Sequence, residues 1–294
     1  MKINRQDAGD NRQGARNAKK SFFLFPTWRP LRLGGLNSGF TMVEIAICLA
    51  VIGIALISII GVLPIGMNTQ RDNREETIIN QDATVFIEAI RGGARGLDDL
   101  TNYVYAITNF GGQYNNGVLA LFNPPIGYTN GTPSFLTNGT NIVGLLSMPE
   151  YTDNFGNPIE NSSLFSVYNS NHVVAYVHSL SGPAVEKPPQ TNDTVVGDSF
   201  SYRILCVNAP VAVDTNIFYL PPAQQLYTRQ LTANLHELRL TFLWPQLPNG
   251  NLGPGRQTFR AMVAGQIVTV TNIVTGQILY FYQPQSFINV TNTP

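Results

Sequence analysis

Three residues near the start of the chain have the types and spacing for peptide cleavage followed by charge pairing. Gly39 directly precedes Phe40, and Glu44 lies four residues beyond it. Cleavage of the Gly39–Phe40 bond would give Phe40 a free α-amino group and make Glu44 the fifth residue of the product. An amine and a carboxylate favour each other's ionised forms where water is excluded. The sequence therefore offers a new N-terminus and one acid suited to pair with an amine.

The residues after Glu44 predict a transmembrane helix. Residues 45–65 carry no charge, and Ser58 is their only polar side chain. At about 1.5 Å per residue such a helix spans about 30 Å of hydrocarbon. A charged group inside a bilayer costs roughly 2.5 to 3.5 kcal/mol on insertion scales, so Glu44 calls for a partner or a function. We assign the transmembrane helix to residues 40–67.

A signal anchor with a stray glutamate is the alternative interpretation of this segment. A secretory signal places its apolar core before the cleavage site, whereas here the candidate site at Gly39 precedes the apolar core. Cleavage at this point would leave the helix attached to the product.

The motif GFTMVE at residues 39–44, followed by the apolar run, resembles the N-terminus of type IV pilins and type II secretion pseudopilins. The resemblance covers residues 39 to about 90. It implies that prepilin peptidase removes residues 1–39 as a leader and requires Gly39, and that Phe40 becomes the methylated N-terminus. It also implies that Glu44 faces the amino group of a neighbouring subunit's Phe40.

The charge distribution predicts the orientation of the chain in a membrane. Residues 1–39 contain eight Lys or Arg against two Asp, whereas the remainder carries a net charge of −6. Positive charge before a first transmembrane helix keeps that end in the cytoplasm. We expect a single-pass protein of the bacterial inner membrane with a periplasmic or filament-borne ectodomain. The acidic ectodomain also argues against nucleic-acid binding.

A second helical segment, residues 68–100, is expected to continue the first beyond the membrane. Apolar residues recur there at steps of three and four, while most charged residues, Asp82 among them, fall on other faces. Gly61 and Pro64 are expected to kink or loosen the helix where it leaves the bilayer. The apolar stripe consists of Ile79, Ala83, Phe86, Ile90, Ala94 and Leu97.

Residues 101–294 predict a β-rich ectodomain. No Asp, Glu, Lys or Arg occurs from Leu100 to Pro149, and turn-forming Asn-Gly pairs are frequent. The segment 181–199 is interpreted as a linker or exposed loop. Strands are predicted at Gly117–Phe122, Ile142–Ser147, His172–His178, Phe200–Val207, His236–Trp244, Thr258–Ala264, Gln266–Thr271 and Gln277–Tyr282.

The strand from His236 to Trp244 has the clearest pattern. Its apolar residues alternate with polar ones, as in a sheet with one buried side, and Pro245 is expected to end it. The predicted fold class is α+β, with one long N-terminal helix packed on a mostly antiparallel sheet, and the resemblance implies a pilin-like arrangement.

No set of ectodomain residues predicts catalysis, a cofactor or a metal site. His172, His178 and His236 have no carboxylate or cysteine at the spacing of a triad or zinc site. Calcium is considered at Asp193, Asp198 and Asp214, but a known ligand spacing is absent. Cys48 and Cys206 are expected to remain unpaired. We expect a non-enzymatic protein without cofactor.

These observations predict a structural subunit, a minor pseudopilin of a type II secretion pseudopilus. The expected partners are prepilin peptidase, other pilin or pseudopilin subunits and an inner-membrane assembly platform. A type IV pilus minor pilin in adhesion or DNA uptake is the first alternative. A signal-anchored ectodomain that binds a ligand such as carbohydrate is the second, and an exposed cleft lined by carboxylates or aromatic rings would favour it.

Replacement of Gly39 by Ala or a bulkier residue should leave unprocessed precursor in the membrane, because a small residue lets the backbone enter the peptidase cleft. N-terminal sequencing and mass spectrometry of the purified protein provide the measurement. In the unaltered chain they should find methylated Phe40 first. Recovery of Phe40 at the N-terminus of the Gly39 variant would contradict the proposed site.

Overall fold

A computed structural model describes residues 39–93, 98–129, 135–159, 165–181, 200–211, 219–272 and 275–289. The helices are α1 (Met42–Gly92), a 3-10 helix (Asp98–Asn102), α2 (Gly139–Leu146) and α3 (Pro222–Asn234). The strands are β1 (Val104–Asn115), β2 (Val118–Thr129), β3 (Tyr151–Thr152), β4 (Val167–His178), β5 (Ser201–Pro210), β6 (Leu235–Gln246), β7 (Leu252–Ala264), β8 (Gln266–Thr271) and β9 (Ile278–Gln283). The α+β class predicted from the sequence agrees with this composition.

The chain divides into two compact units, Met1–Val62 and Leu63–Pro294, with the boundary inside α1. The second unit contains all of the strands and the amphipathic part of α1. Residues on both sides of Pro64 are helical.

Helix α1 ends earlier than the predicted limit at residue 100. Gly93 adopts a φ of +65°, a left-handed conformation that terminates helices and that glycine reaches without steric cost. Asp98–Asn102 then forms the separate 3-10 helix. Ala94 and Leu97, the last two members of the predicted stripe, lie outside the described residues.

The other stripe residues occupy the core, as predicted. Ile79, Ala83, Phe86 and Ile90 are fully buried. The Phe86 ring lies 6.5 Å from that of Phe242 on β6, centroid to centroid, at 60°. The amphipathic part of α1 therefore packs on the sheet by its apolar stripe, as the spacing of these residues predicts.

The main sheet is antiparallel throughout, with the strand order β2-β1-β4-β5-β6-β7 and β3 paired to β4. Asn116 and Gly117 form the tight β1–β2 turn, and both have positive φ, as a hairpin of this type requires. Most predicted strands correspond to elements of this sheet, namely parts of β2, β4, β5, β6 and β7. Strand β1 and helix α3 were not predicted.

The predicted strand Ile142–Ser147 is wrong, because these residues belong to helix α2 and its C-terminal cap. The Asn138 side chain accepts a hydrogen bond from Thr140 N at 2.8 Å and so caps the helix N-terminus. Six of the eight residues of α2 are buried, so the segment lacks the polar face that marks an amphipathic helix. A short apolar run has the same appearance in a buried helix and in a buried strand.

The two C-terminal strands also differ from expectation. They do not complete the main sheet; β8 and β9 form a two-stranded sheet of their own. Strand β9 packs against α2, where a side chain on Gly144 would lie 2.8 Å from Leu279 Cβ. Pro245 does not end β6, which continues to Gln246.

The main sheet has one core face and one open face. The alternating residues predicted for β6, from His236 to Trp244, are all buried on the core face. This face also receives α2, since Cys206 Sγ on β5 donates to Leu146 O at 2.9 Å. We call the opposite side, which carries Tyr168, His172 and Tyr176 of β4, the open face. Those three residues are half-buried or exposed.

A buried carboxylate joins α1 to the ectodomain. Asp82 is fully buried, although the sequence placed it on a polar face. Its Oδ2 accepts hydrogen bonds from Leu180 N at 2.9 Å and Tyr202 Oη at 2.8 Å, and its Oδ1 accepts one from Ser181 Oγ at 2.7 Å. Burial raises the pKa of Asp82, and these donors oppose the rise. The sequence grouped Asp82 with charged residues that lie mostly on other faces of the helix, and the partners that accompany its burial, in the segment after β4 and on β5, cannot be predicted from helical spacing.

Asp82→Ala should lower the free energy of unfolding by about 3 kcal/mol, because it leaves buried donors without an acceptor. Asp72→Ala is the matched control, since Asp72 lies exposed on the same helix, and it should change the value by less than about 0.5 kcal/mol. Urea unfolding in detergent, followed by the fluorescence of buried Trp244, measures both. Equal midpoints for the two variants would show that the Asp82 bonds stabilise nothing.

A buried histidine links stability to pH. His236 is 6% exposed, and its ring meets that of Tyr282 edge to face at 5.6 Å. Burial lowers the pKa of His236 to about 4, and a contact with the Ala233 backbone opposes this shift only in part. The unfolded chain, with a pKa near 6.5, therefore binds more protons than the folded chain between these two values.

Above about pH 6.5 His236 is neutral in both the folded and the unfolded chain. As the pH falls from 6.5 towards 4, the unfolded chain binds a proton that the folded chain does not, and the free energy of unfolding should decrease by up to about 3 kcal/mol. His236→Phe removes the titrating group and keeps a ring against Tyr282. The unfolding free energy of the unaltered chain should decrease more steeply with acid than that of the variant. Parallel pH profiles would exclude His236 as the cause.

Candidate functional site

The candidate processing site lies directly before α1. Gly39 and Phe40 precede the helix, which begins at Met42, and Phe40 is 83% exposed. A Cβ atom added to Gly39 would meet no atom within 4 Å. Within the described chain, the fold itself therefore does not require glycine at position 39. A requirement for glycine would come from an enzyme that binds this segment.

Glu44 and Thr41 are joined by reciprocal hydrogen bonds around the first turn of α1. Glu44 Oε2 accepts from Thr41 N and from Thr41 Oγ1, each at 2.9 Å. In return, Glu44 N donates to Thr41 Oγ1 at 3.3 Å. This arrangement is a capping box, which satisfies backbone donors at the start of a helix.

The capping box gives Glu44 a structural role within a single chain. Its sequence signal, a threonine followed three positions later by glutamate before an apolar run, was present at Thr41 but was not used in the sequence analysis. Both bonds to the carboxylate use Oε2, and Oε1 accepts none from the described residues. Glu44 can therefore cap its own helix and still present one oxygen to another donor.

The helix beyond Glu44 exposes a continuous apolar surface. Every Ile, Leu and Val from Ile45 to Ile65 is exposed, from 49% at Ile45 to 73% at Ile57. Within the described chain, α1 is the one helix long and apolar enough to cross a membrane, by length and composition. It is a candidate membrane anchor. The basic leader, residues 1–38, lies outside the described residues.

The ectodomain histidines lie apart from one another. His236 lies in the core, whereas His172 and His178 lie on the open side of β4, where His178 Nδ1 is 2.8 Å from Ser201 Oγ. In the part of the chain that the structure describes, no group of three His, Cys, Asp or Glu residues is placed to hold a metal ion. The residues considered for calcium, Asp193, Asp198 and Asp214, lie outside that part.

The two cysteines are free, as expected. Cys48 is exposed on α1, and Cys206 is buried on the core face of β5. Burial raises the pKa of the Cys206 thiol to about 12, which leaves it a poor nucleophile.

The open face carries an aromatic surface that sequence reasoning missed. Rings from β1 and β4 pair across the strands, among them Phe110 with His172 and Tyr114 with Tyr168. The signal on β4 was the alternation that puts Tyr168, His172 and Tyr176 on one side. This alternation could not predict the ring pairs, because their other members lie on β1, whose glycine-containing sequence did not predict a strand.

The comparisons with known proteins give no relative. No family model matches the chain, no curated protein matches it, and no solved structure matches it. Its residues and their geometry therefore carry the functional argument.

Proposed function

We propose that the chain is a structural subunit, a minor pseudopilin that prepilin peptidase cleaves between Gly39 and Phe40 and that assembles into a type II secretion pseudopilus. Phe40 becomes the N-methylated first residue. Glu44 is the assembly residue. In this proposal the chain is not an enzyme and needs no cofactor.

The observation that carries the proposal is the placement of the GFTMVE motif. The Gly39–Phe40 bond lies in an exposed segment outside helix and sheet, and a helix with an acid in its first turn begins two residues after Phe40. An accessible bond directly before a helix of membrane-spanning length is what a peptidase at the membrane surface requires. The cut then leaves the helix with the product.

Assembly in this proposal depends on pairing between two copies. The free amine of Phe40 in one subunit meets Glu44 of its neighbour, in the low-dielectric interior where opposite charges attract most strongly. Oε1 of Glu44 accepts no hydrogen bond from the described residues and so can receive the amine without loss of the capping box. The exposed apolar side chains of residues 45–65 supply the helix packing.

The proposed location follows from the positive charge of the leader and from the order of leader, helix and domain along the chain. The basic leader faces the cytoplasm, α1 crosses the inner membrane once, and the domain of roughly 225 residues lies in the periplasm or on the filament. This domain is larger than we expect for a bulk fibre subunit, which favours a minor role near the tip. The partners are prepilin peptidase, other subunits and the assembly platform.

A minor pilin of a type IV pilus is the alternative within the same superfamily. A neighbouring gene for a retraction ATPase would favour the pilus, and a secretin with an assembly ATPase alone would favour the pseudopilus.

Two substitutions of Glu44 separate its capping role from its charge. Glu44→Gln keeps the side-chain acceptor of a capping box but removes the charge, whereas Glu44→Val removes both. Both variants should insert in the membrane, since each lowers the cost of burying position 44. Both should be recovered in sheared filaments about tenfold less than the unaltered chain, because a pairing worth about 1.4 kcal/mol or more is lost.

The Gln variant decides the mechanism. Normal assembly of Glu44→Gln together with failure of Glu44→Val would assign Glu44 to helix capping and remove the ion pair from the proposal. Normal assembly of both would falsify any role for this residue in filament formation. Processing at Phe40 should be intact in each case and is checked by N-terminal mass spectrometry.

A further inference from the structure

The open face of the main sheet carries two stacked aromatic pairs at the end nearest the β1–β2 turn. Phe110 and His172 lie directly opposite each other on β1 and β4, with ring centroids 5.2 Å apart and planes at 8°. Tyr114 and Tyr168 are opposed in the same way, at 5.4 Å and 5°. Each pair holds its rings in a fixed orientation, because the partner covers one side.

Small residues separate these pairs. Gly112 lies midway between Phe110 and Tyr114, opposite Ser170 on β4. Four residues of an extended strand place Phe110 and Tyr114 roughly 13 Å apart along β1. The position between them carries no side chain on β1 and only a hydroxymethyl group on β4. The Leu119 side chain of β2 reaches over Gly112, where an added Cβ would lie 2.8 Å from Leu119 Cδ1, and so forms an apolar floor between the two aromatic walls.

The space between these walls forms a cleft of about 290 Å³. Strand β2 closes its outer side, where Phe122 pairs with Gly112 in the register and remains 77% exposed. An aromatic ring so exposed beside a cleft gains little for folding. It is placed to contact a ligand.

The cleft carries no formal charge. None of its lining side chains is acidic or basic apart from His172, and it draws on the segment Leu100–Pro149 that lacks Asp, Glu, Lys and Arg. Burial lowers the pKa of His172, which favours the neutral form of its ring, and the charge of Glu150 opposes this shift. Glu150 acts electrostatically on His172 but does not line the cleft. The absence of acidic and basic side chains from the lining itself favours a neutral ligand.

Polar groups in the cleft are available for hydrogen bonding. The structure gives the Ser170 hydroxyl, the Tyr114 phenol and the His172 ring no hydrogen-bond partner among the described residues. Together they offer two hydroxyl groups and an imidazole beside apolar ring faces. Ligand sites combine apolar walls with a few such polar groups, and 290 Å³ lies near the lower end of their volumes.

We propose that this cleft binds a neutral carbohydrate. The apolar CH face of a sugar ring packs against the aromatic walls formed by Phe110, Tyr114 and Phe122, while the sugar hydroxyls bond with Ser170 and His172. This function does not depend on filament assembly, and the cleft is the kind of feature that favours the ligand-binding alternative considered from the sequence.

A proline-rich peptide is the main competing ligand, since such peptides also bind grooves lined by aromatic rings. The hydrogen-bonding groups between the aromatic pairs favour the sugar, which presents a hydroxyl on nearly every carbon. The peptide is retained as an outcome of the test.

Isothermal titration calorimetry on the full chain tests the proposal. The detergent must lack a sugar headgroup, because a maltoside would compete for the cleft. The probes are cellopentaose, maltopentaose and chitopentaose as neutral sugars, an oligogalacturonate as the anionic sugar, and a proline-rich peptide. At least one neutral sugar should bind saturably below about 10 mM, and the anionic sugar should bind more weakly.

Two phenylalanine variants provide the matched comparison. Phe122→Ala removes a cleft wall, and Phe155→Ala removes a ring that is 83% exposed and does not line the cleft. Both rings are largely in solvent, so neither change should unfold the domain, as circular dichroism will check. Phe122→Ala should raise the dissociation constant about tenfold or more, and Phe155→Ala should leave it unchanged.

Three results would overturn the proposal. They are the absence of binding to all three neutral sugars, sugar binding that Phe122→Ala does not weaken, and binding of the peptide alone. None of them bears on the proposed filament role, which is tested at Glu44.

Discussion

The apolar stripe of α1 needs a surface to cover it, and the ectodomain is arranged around that requirement. Ile79, Ala83, Phe86 and Ile90 lose all contact with solvent, which at about 25 cal/mol per Å² makes their burial a principal source of stability. The sheet meets this stripe with its core face, and Asp82 adds three hydrogen bonds, two to the segment after β4 and one to Tyr202 on β5. The open face of the main sheet does not have to cover the helix.

No protein surface covers the N-terminal half of α1 within the described chain. Its apolar side chains are exposed around the whole helix, and such a surface is stable only against lipid or other apolar helices. Glu44 sits at the edge of this surface, and its bonds to Thr41 satisfy donors at the helix start. One carboxylate thus serves the local helix and has an oxygen left for the pairing proposed between subunits.

The open face shows how a sheet can combine stability with binding. Cross-strand pairs such as Tyr114 with Tyr168 stabilise β1 against β4, since directly opposed aromatic residues attract each other. The same pairs leave a cleft wherever small residues interrupt the row, as Gly112 and Ser170 do. The core face has no comparable freedom, because α1, α2 and the β8–β9 hairpin depend on its packing.

The features that depend on local pattern could be predicted from the order of the residues alone. The uncharged run from Ile45 to Ile65, the stripe on α1 and the alternation on β6 could each be predicted. Surfaces hidden from water select apolar residues, and the residues on one face of a helix or a strand recur at a fixed spacing along the chain. The Thr41–Glu44 cap was equally local, although it was not recognised. Four other features became visible in the folded chain: residues 142–147 are helical or cap the helix, β8 and β9 form their own sheet, Asp82 is buried, and an aromatic cleft forms on the open face. Each of these features depends on contacts between residues far apart in the chain. The spacing of apolar residues within one segment does not predict which distant segment it will contact.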